Sequence, residues 1–99
     1  MDDSRIVQQF QALGDPVRWV VLSALRVRTR CAHELADAAG VSPTLMSHHL
    51  KVLREAGLIA AAKRGRYIDY SLNADAVTSL STAVAEGLAA RVATARVSS

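Results

Sequence analysis

Residues 32–59, AHELADAAGVSPTLMSHHLKVLREAGLI, decide how the rest of the chain is read. Gly40 follows the first apolar pattern at the place where a C′ glycine ends a helix. Ser42 then precedes Pro43, an N-cap followed by a proline at the first helical position. Gly57 closes the second helix, and Leu58 and Ile59 begin a strand. A short helix, a turn of about three to four residues and a longer helix make a helix-turn-helix.

The longer helix has two faces. Met46, Leu50 and Leu53 recur at i, i+4 and i+7, and Leu45 and Val52 broaden that apolar side. At about 100° per residue, Thr44, His48 and Lys51 fall opposite, flanked by Ser47 and Arg54. With Ser42 and Pro43 at its start, this second face offers hydroxyls, an imidazole and cations, with Glu55 its single acid. Such a surface suits a major groove lined with phosphates and base edges. His49 lies nearer the apolar side and is read as a half-buried, satisfied histidine.

The whole chain, residues 1–99, is read as one domain, small enough that association with a second copy is a natural source of stability. Its composition is globular, 51% hydrophobic and 21% charged, with a net charge of +3. An excess that small makes the distribution of charge more informative than the total. The single cysteine excludes an internal disulfide. The opening residues MDDSRIVQQF lack the basic start and apolar run of a signal peptide. No apolar run approaches the roughly 18 residues of a membrane span. The expectation is a reduced, cytoplasmic protein with no membrane partner.

In chain order, residues 3–13 form a first helix with Ile6, Phe10 and Leu13 on one stripe and Val7 beside it, suited to pack on a partner chain as well as its own core. Asp15-Pro16 starts a second helix with an acidic N-cap. Val17, Val20, Val21, Leu22 and Leu25 give it a buried face, and Trp19 is read as core rather than dimer surface. The run RVRTR, residues 26–30, is a basic connector: a solvated loop, with phosphate contact as the alternative. Residues 58–72 then form a hairpin. Ile68, Tyr70 and Leu72 alternate with Tyr67, Asp69 and Ser71, the period-2 pattern of a half-buried strand. Arg64-Gly65 makes the turn, because glycine takes positive φ at no cost. The hairpin tip carries Lys63, Arg64 and Arg66. Beside a helix-turn-helix this is a wing, and its cations would lie along the DNA backbone or in the minor groove. Asn73 caps a last helix, residues 74–96, whose stripe Val77, Leu80, Val84, Leu88 and Val92 suggests pairing with its symmetry mate, the first helix alongside. The fold class is mainly α with a small β-hairpin (α+β): a winged helix-turn-helix with the motif at 32–57, the wing at 58–72, and dimerisation helices at 1–13 and 74–96.

The segments ALGDPVRWVVLSAL, HELADAAGVSPTLMSHHLKVLREAGLI and KRGRYIDYSLN together resemble the ArsR/SmtB family of winged-helix repressors, over roughly residues 10–73. The resemblance implies a bacterial homodimer that binds an inverted-repeat operator in double-stranded DNA and is released by an inducer, in many members a metal ion. The family's sensor motif reads ELCVCDLA or ELCVGDLA; the equivalent stretch here is TRCAHELA, which places Cys31 and His33 on its two ligand positions. Thiolate plus imidazole suits zinc, nickel, cobalt or cadmium, while the histidine in place of a cysteine sets the pair against arsenite. Asp2, Asp3 and the amino terminus of the partner's arm are the further donors the chain offers. Against this stands the plain alternative of a small buried Cys31 and a capping His33. A second family site on the last helix is absent, since that helix has Asp75 and Glu86 but no histidine. An alternative is a regulator of the same family that ignores metal and answers to a separate effector protein or an organic effector. An enzyme is not expected, because Cys31 and His33 have no orienting acid or oxyanion loop nearby.

Overall fold

The computed structural model describes residues 4–98, with side chains through residue 87. The elements are α1 (Ser4–Leu13), α2 (Pro16–Val27), β1 (Arg30–Cys31), α3 (Ala32–Ala39), α4 (Pro43–Glu55), β2 (Ile59–Arg64), β3 (Tyr67–Leu72) and α5 (Ala74–Ser98). Asp2 and Asp3, and the side chains of Leu88 and Val92, lie outside the described residues.

Local chemistry sets the helix starts. The Asp15 carboxylate accepts from the amides of Val17 at 2.8 Å and Arg18 at 3.2 Å, and Pro16 needs no partner for an amide it lacks. Burial pushes the Asp15 carboxyl up, but those amides and the nearby His49 and Arg18 hold it below its usual range. Ser42 caps α4 through the amide of Leu45 at 3.1 Å. Between α3 and α4, Gly40 adopts φ 68°, the left-handed turn that aims the second helix away from the first.

The core is the inner faces of α2, α3 and α4 closed by the root of the sheet. Val21, Leu35, Met46, Leu50, Leu53 and Leu58 are fully buried. Each such side chain contributes about 1.5–3 kcal/mol by leaving water, and together they hold α4 against the body.

Three expectations change. The wing is a three-stranded antiparallel sheet in the order β1-β3-β2, not a two-stranded hairpin, because Arg30 pairs with Tyr70 and Cys31 with Asp69. The basic run 26–30 is not a loop: Arg26 and Val27 continue α2, Arg28 caps it, and Arg30 is in β1 with its Nε donating to the Ala24 carbonyl at 3.1 Å. Trp19 is not core; it is 60% exposed, on the flank of α2 away from Val21 and Leu25.

Two further stripes are only partly buried. In β3, Tyr70 and the half-buried Leu72 face the core, but Ile68 beyond them is exposed, outside the core that the described residues form. In α5, Leu80 is buried within the protomer and Val77 packs against the core, so the first turns of that stripe cover this chain's own interior.

Candidate nucleic-acid interface

Helix α4 turns its two faces as the spacing demands. Met46, Leu50 and Leu53 are buried, and Ser42, Pro43, Thr44, Ser47, His48, Lys51 and Arg54 are exposed. Leu45, expected on the apolar side, is instead 44% exposed among these polar groups. Its position beside Thr44 and His48 puts a methyl-bearing side chain on the outward surface, where it could meet a thymine methyl. Lys51 and Glu55 are 4.0 Å apart on successive turns, an exposed pair that holds the lysine only weakly.

His49 is buried and partnered. Its Nδ1 lies 3.3 Å from Arg18 Nη1 and 4.0 Å from an Asp15 oxygen. A guanidinium only donates, so Nδ1 can pair with Arg18 only as the acceptor.

The wing presents Lys63, Arg64 and Arg66, all exposed. Arg64 is committed within the hairpin: its Nε donates to Asp69 Oδ2 at 2.6 Å and its Nη2 to Oδ1 at 3.2 Å, and its guanidinium lies over the Tyr67 ring at 5.6 Å. The pair draws the Asp69 carboxyl below its usual range and raises Arg64 above its own. Sequence spacing did not single out Asp69 as the partner that neutralises one of three wing cations. Its signal is the register, in which Lys63 pairs with Ile68 and Arg64 with Tyr67 across the turn.

Cys31 and His33 differ in exposure and in partners. Cys31 is the half-buried N-cap of α3, with its backbone amide donating to Glu34 Oε1 at 3.3 Å. His33 is exposed, its Nε2 3.4 Å from Asp37 Oδ2. Glu34 in turn accepts from Arg28 at 2.8 Å, and that guanidinium together with the Cys31 amide lowers its carboxyl to about 2. No group of three or more metal-ligating side chains exists among the described residues. A zinc-type site takes four donors, so the described residues of one protomer do not by themselves complete one, and no step of the mechanism passes through a metal.

A helix-turn-helix whose second helix is held out with a polar face, next to a basic antiparallel hairpin, defines a winged helix-turn-helix protein. The comparisons with known proteins agree. The model of the arsR family of bacterial regulatory proteins matches residues 15–61. The transcriptional repressor SdpR of Bacillus subtilis is 36% identical over 64 residues, 65% of this chain and 71% of that protein. The HTH-type transcriptional repressor SmtB of Mycobacterium tuberculosis is 44% identical over 62 residues, 63% of this chain and 46% of that protein, so the match spans less than half the length of that relative. Among solved structures, an ArsR-like transcriptional regulator from Rhodococcus sp. RHA1 superposes with a TM-score of 0.81 at 27% identity, over 95% of this chain and 90% of that one. The chain belongs to the arsR family of bacterial regulatory proteins. That is a family of DNA-binding transcriptional regulators, not of enzymes.

Proposed function

We propose that this chain represses transcription by binding an inverted-repeat operator as a homodimer, with the outward face of α4 in the major groove. The observation that carries the reading is the two-faced recognition helix: Met46, Leu50 and Leu53 are fully buried while Thr44, Ser47, His48 and Lys51 all face solvent. Hydroxyls and the imidazole read base edges, and Lys51 and Arg54 meet phosphates. Lys63 and Arg66 on the wing track the flanking backbone or minor groove. Ser42 is used in its cap, so its backbone and Pro43 position the helix start against the duplex rather than read it.

A second copy is the natural cover for the apolar side chains the protomer leaves open. Val7 and Phe10 on α1 and Trp19 and Val20 on α2 are exposed. Two recognition helices related by a two-fold axis need half-sites about one helical turn apart, ~34 Å. Such a target places the protein in the cytoplasm. No helix among the described residues is long and apolar enough to cross a membrane.

Selection of duplexes from a random pool by the purified protein tests the reading. The expected product is a two-fold symmetric site with a binding constant that falls steeply with salt. Recovery of random sequence at low ionic strength would end the proposal.

A further inference from the structure

The described hydrogen bonds join α1 to the recognition helix at two separate places. The last carbonyls of any helix lack partners within it. In α4, those of Leu53 and Arg54 are taken by the amides of Leu58 and Gly57. The next two carbonyls are met by α1 side chains. Arg5 Nη1 donates to the Glu55 carbonyl at 2.9 Å and Gln8 Nε2 to the same oxygen at 3.3 Å. Gln9 Nε2 donates to the Ala56 carbonyl at 3.1 Å. Gln9 is only 8% exposed, a buried polar side chain on a helix whose neighbours Val7 and Phe10 are open to solvent. Arg5 also brings a cation to the negative end of the α4 dipole.

The second place is reached through Arg18. Its Nε donates to the Ala12 carbonyl at 2.6 Å and its Nη2 to the Gln11 carbonyl at 3.3 Å, the end of α1, while its Nη1 reaches His49 Nδ1 in the middle of α4. His49 and Ala56 are about two turns apart, roughly 10 Å along the helix axis. Two attachments at that separation fix tilt as well as position, which a single contact does not.

We infer that α1 is a strut for the recognition helix: Arg5, Gln8, Gln9 and Arg18 are positioning residues that set the angle at which α4 enters DNA, and they tie that angle to whatever covers the outer, apolar side of α1. The inference rests on the DNA-reading proposal above. It makes dimer geometry and base recognition two readouts of one rigid helix. A second copy that packs on Val7 and Phe10 thereby sets the tilt of α4 through the opposite side of the same three turns.

The test uses the full chain with Gln9→Met, which keeps length and loses the donor, and the exposed Arg5→Met and Arg5→Lys. Each is titrated by anisotropy against the duplex selected by the wild type and against a scrambled duplex, over a range of salt, with thermal melting in parallel. A tilted reading helix loses base contacts and keeps phosphate contacts. The expected result is a specific affinity about threefold to tenfold weaker for Gln9→Met and Arg5→Met, with non-specific affinity and salt slope unchanged and Arg5→Lys near wild type. If both Met variants keep the wild-type ratio of specific to non-specific affinity while melting earlier, the bonds are merely structural and the inference is overturned. Arg5 is exposed, so its variants fold and keep the question open to measurement even where Gln9→Met does not. A wild type that shows no preference between the duplexes overturns the DNA-reading proposal itself, a result distinct from equal ratios in wild type and variants.

Discussion

Arg64 and Asp69 close on each other across the wing hairpin, 2.6 Å and 3.2 Å apart at their two contacts, so that one of the three tip cations is neutralised before any DNA arrives. The consequence is unequal weight among the wing residues. Lys63→Ala and Arg66→Ala should each lower the slope of log affinity against log salt by about 0.9, the amount released per phosphate contact. Arg64→Ala should lower it by much less. Asp69→Asn, which strips the counter-charge and leaves the shape, should tighten binding to any duplex at low salt and steepen the slope. Equal slopes for Arg64→Ala and Arg66→Ala would show that Asp69 releases its partner on binding.

The junction of α2, β1 and α3 gives a pH signature. Arg28 and the Cys31 amide hold the Glu34 carboxyl at about 2, below its ordinary 4.5. A carboxyl depressed on folding stabilises the folded state at pH values above its unfolded range, and that contribution fades as pH falls from about 4.5 towards 2. Thermal melting as a function of pH should therefore show Glu34→Gln less stable than wild type at neutral pH and the two curves converging in that acid window. Both groups are largely exposed, so the neutral-pH gap is small and screened by salt. A gap that stays constant down to pH 2 would remove Glu34 from the account.

Two leucines on α4 separate folding from reading. Leu50 is fully buried, and Leu50→Ala should cost about 2–5 kcal/mol and lower the melting temperature by about 8 °C or more, at about 4–8 °C per kcal/mol for a chain of this size. Leu45 is half-exposed on the outward side, and Leu45→Ala should stay within about 0.5 kcal/mol of wild type in stability. If it meets a thymine methyl, the same variant weakens specific binding and leaves the salt slope alone. Calorimetric melting beside an operator titration checks both.

What could be read from the chain in advance was what short range determines. Asp15-Pro16 and Ser42-Pro43 mark helix starts because an N-cap acts within three residues, and Met46, Leu50 and Leu53 declare a buried side by spacing alone. The polar surface of α4 follows from the same period. What escaped depends on distant partners. Arg30 and Cys31 become a strand only because Tyr70 and Asp69 arrive beside them, and two residues have no periodicity to detect. Gln9 looks like surface until the Ala56 carbonyl, 47 residues away, supplies the acceptor that allows its burial. Trp19 is of a residue type common in cores, but the period of about 100° per residue already turns it well away from Val17, Val21 and Leu25, so residue type misled where spacing did not. At the candidate site the outward-facing residues of α4 were legible, and the pairing that removes Arg64 from the free cations was not.

Exposed aromatic surface on α1 and α2 carries the last prediction. Phe10 is 47% exposed and Trp19 60%, and a groove of about 400 Å³ lined by Leu13, Trp19, Leu22 and Leu80 opens between α2 and α5. Patches of this kind in a soluble protein mark association surfaces, and a partner that buries both aromatics gains about 25 cal/mol for each Å² of apolar area removed from water. Phe10→Asp places a charge that a buried contact cannot solvate. Sedimentation at micromolar concentration should find the wild type as a dimer and Phe10→Asp as a folded monomer with operator affinity reduced more than tenfold, because a single recognition helix contacts one half-site. Trp19 is the sole tryptophan, so its emission reports the same event without a label: it should shift to shorter wavelength as the wild type is concentrated through its dimer range and stay red in Phe10→Asp. A wild type that remains monomeric with red emission at every concentration would show that α1 and α2 present these aromatics to something other than a second copy.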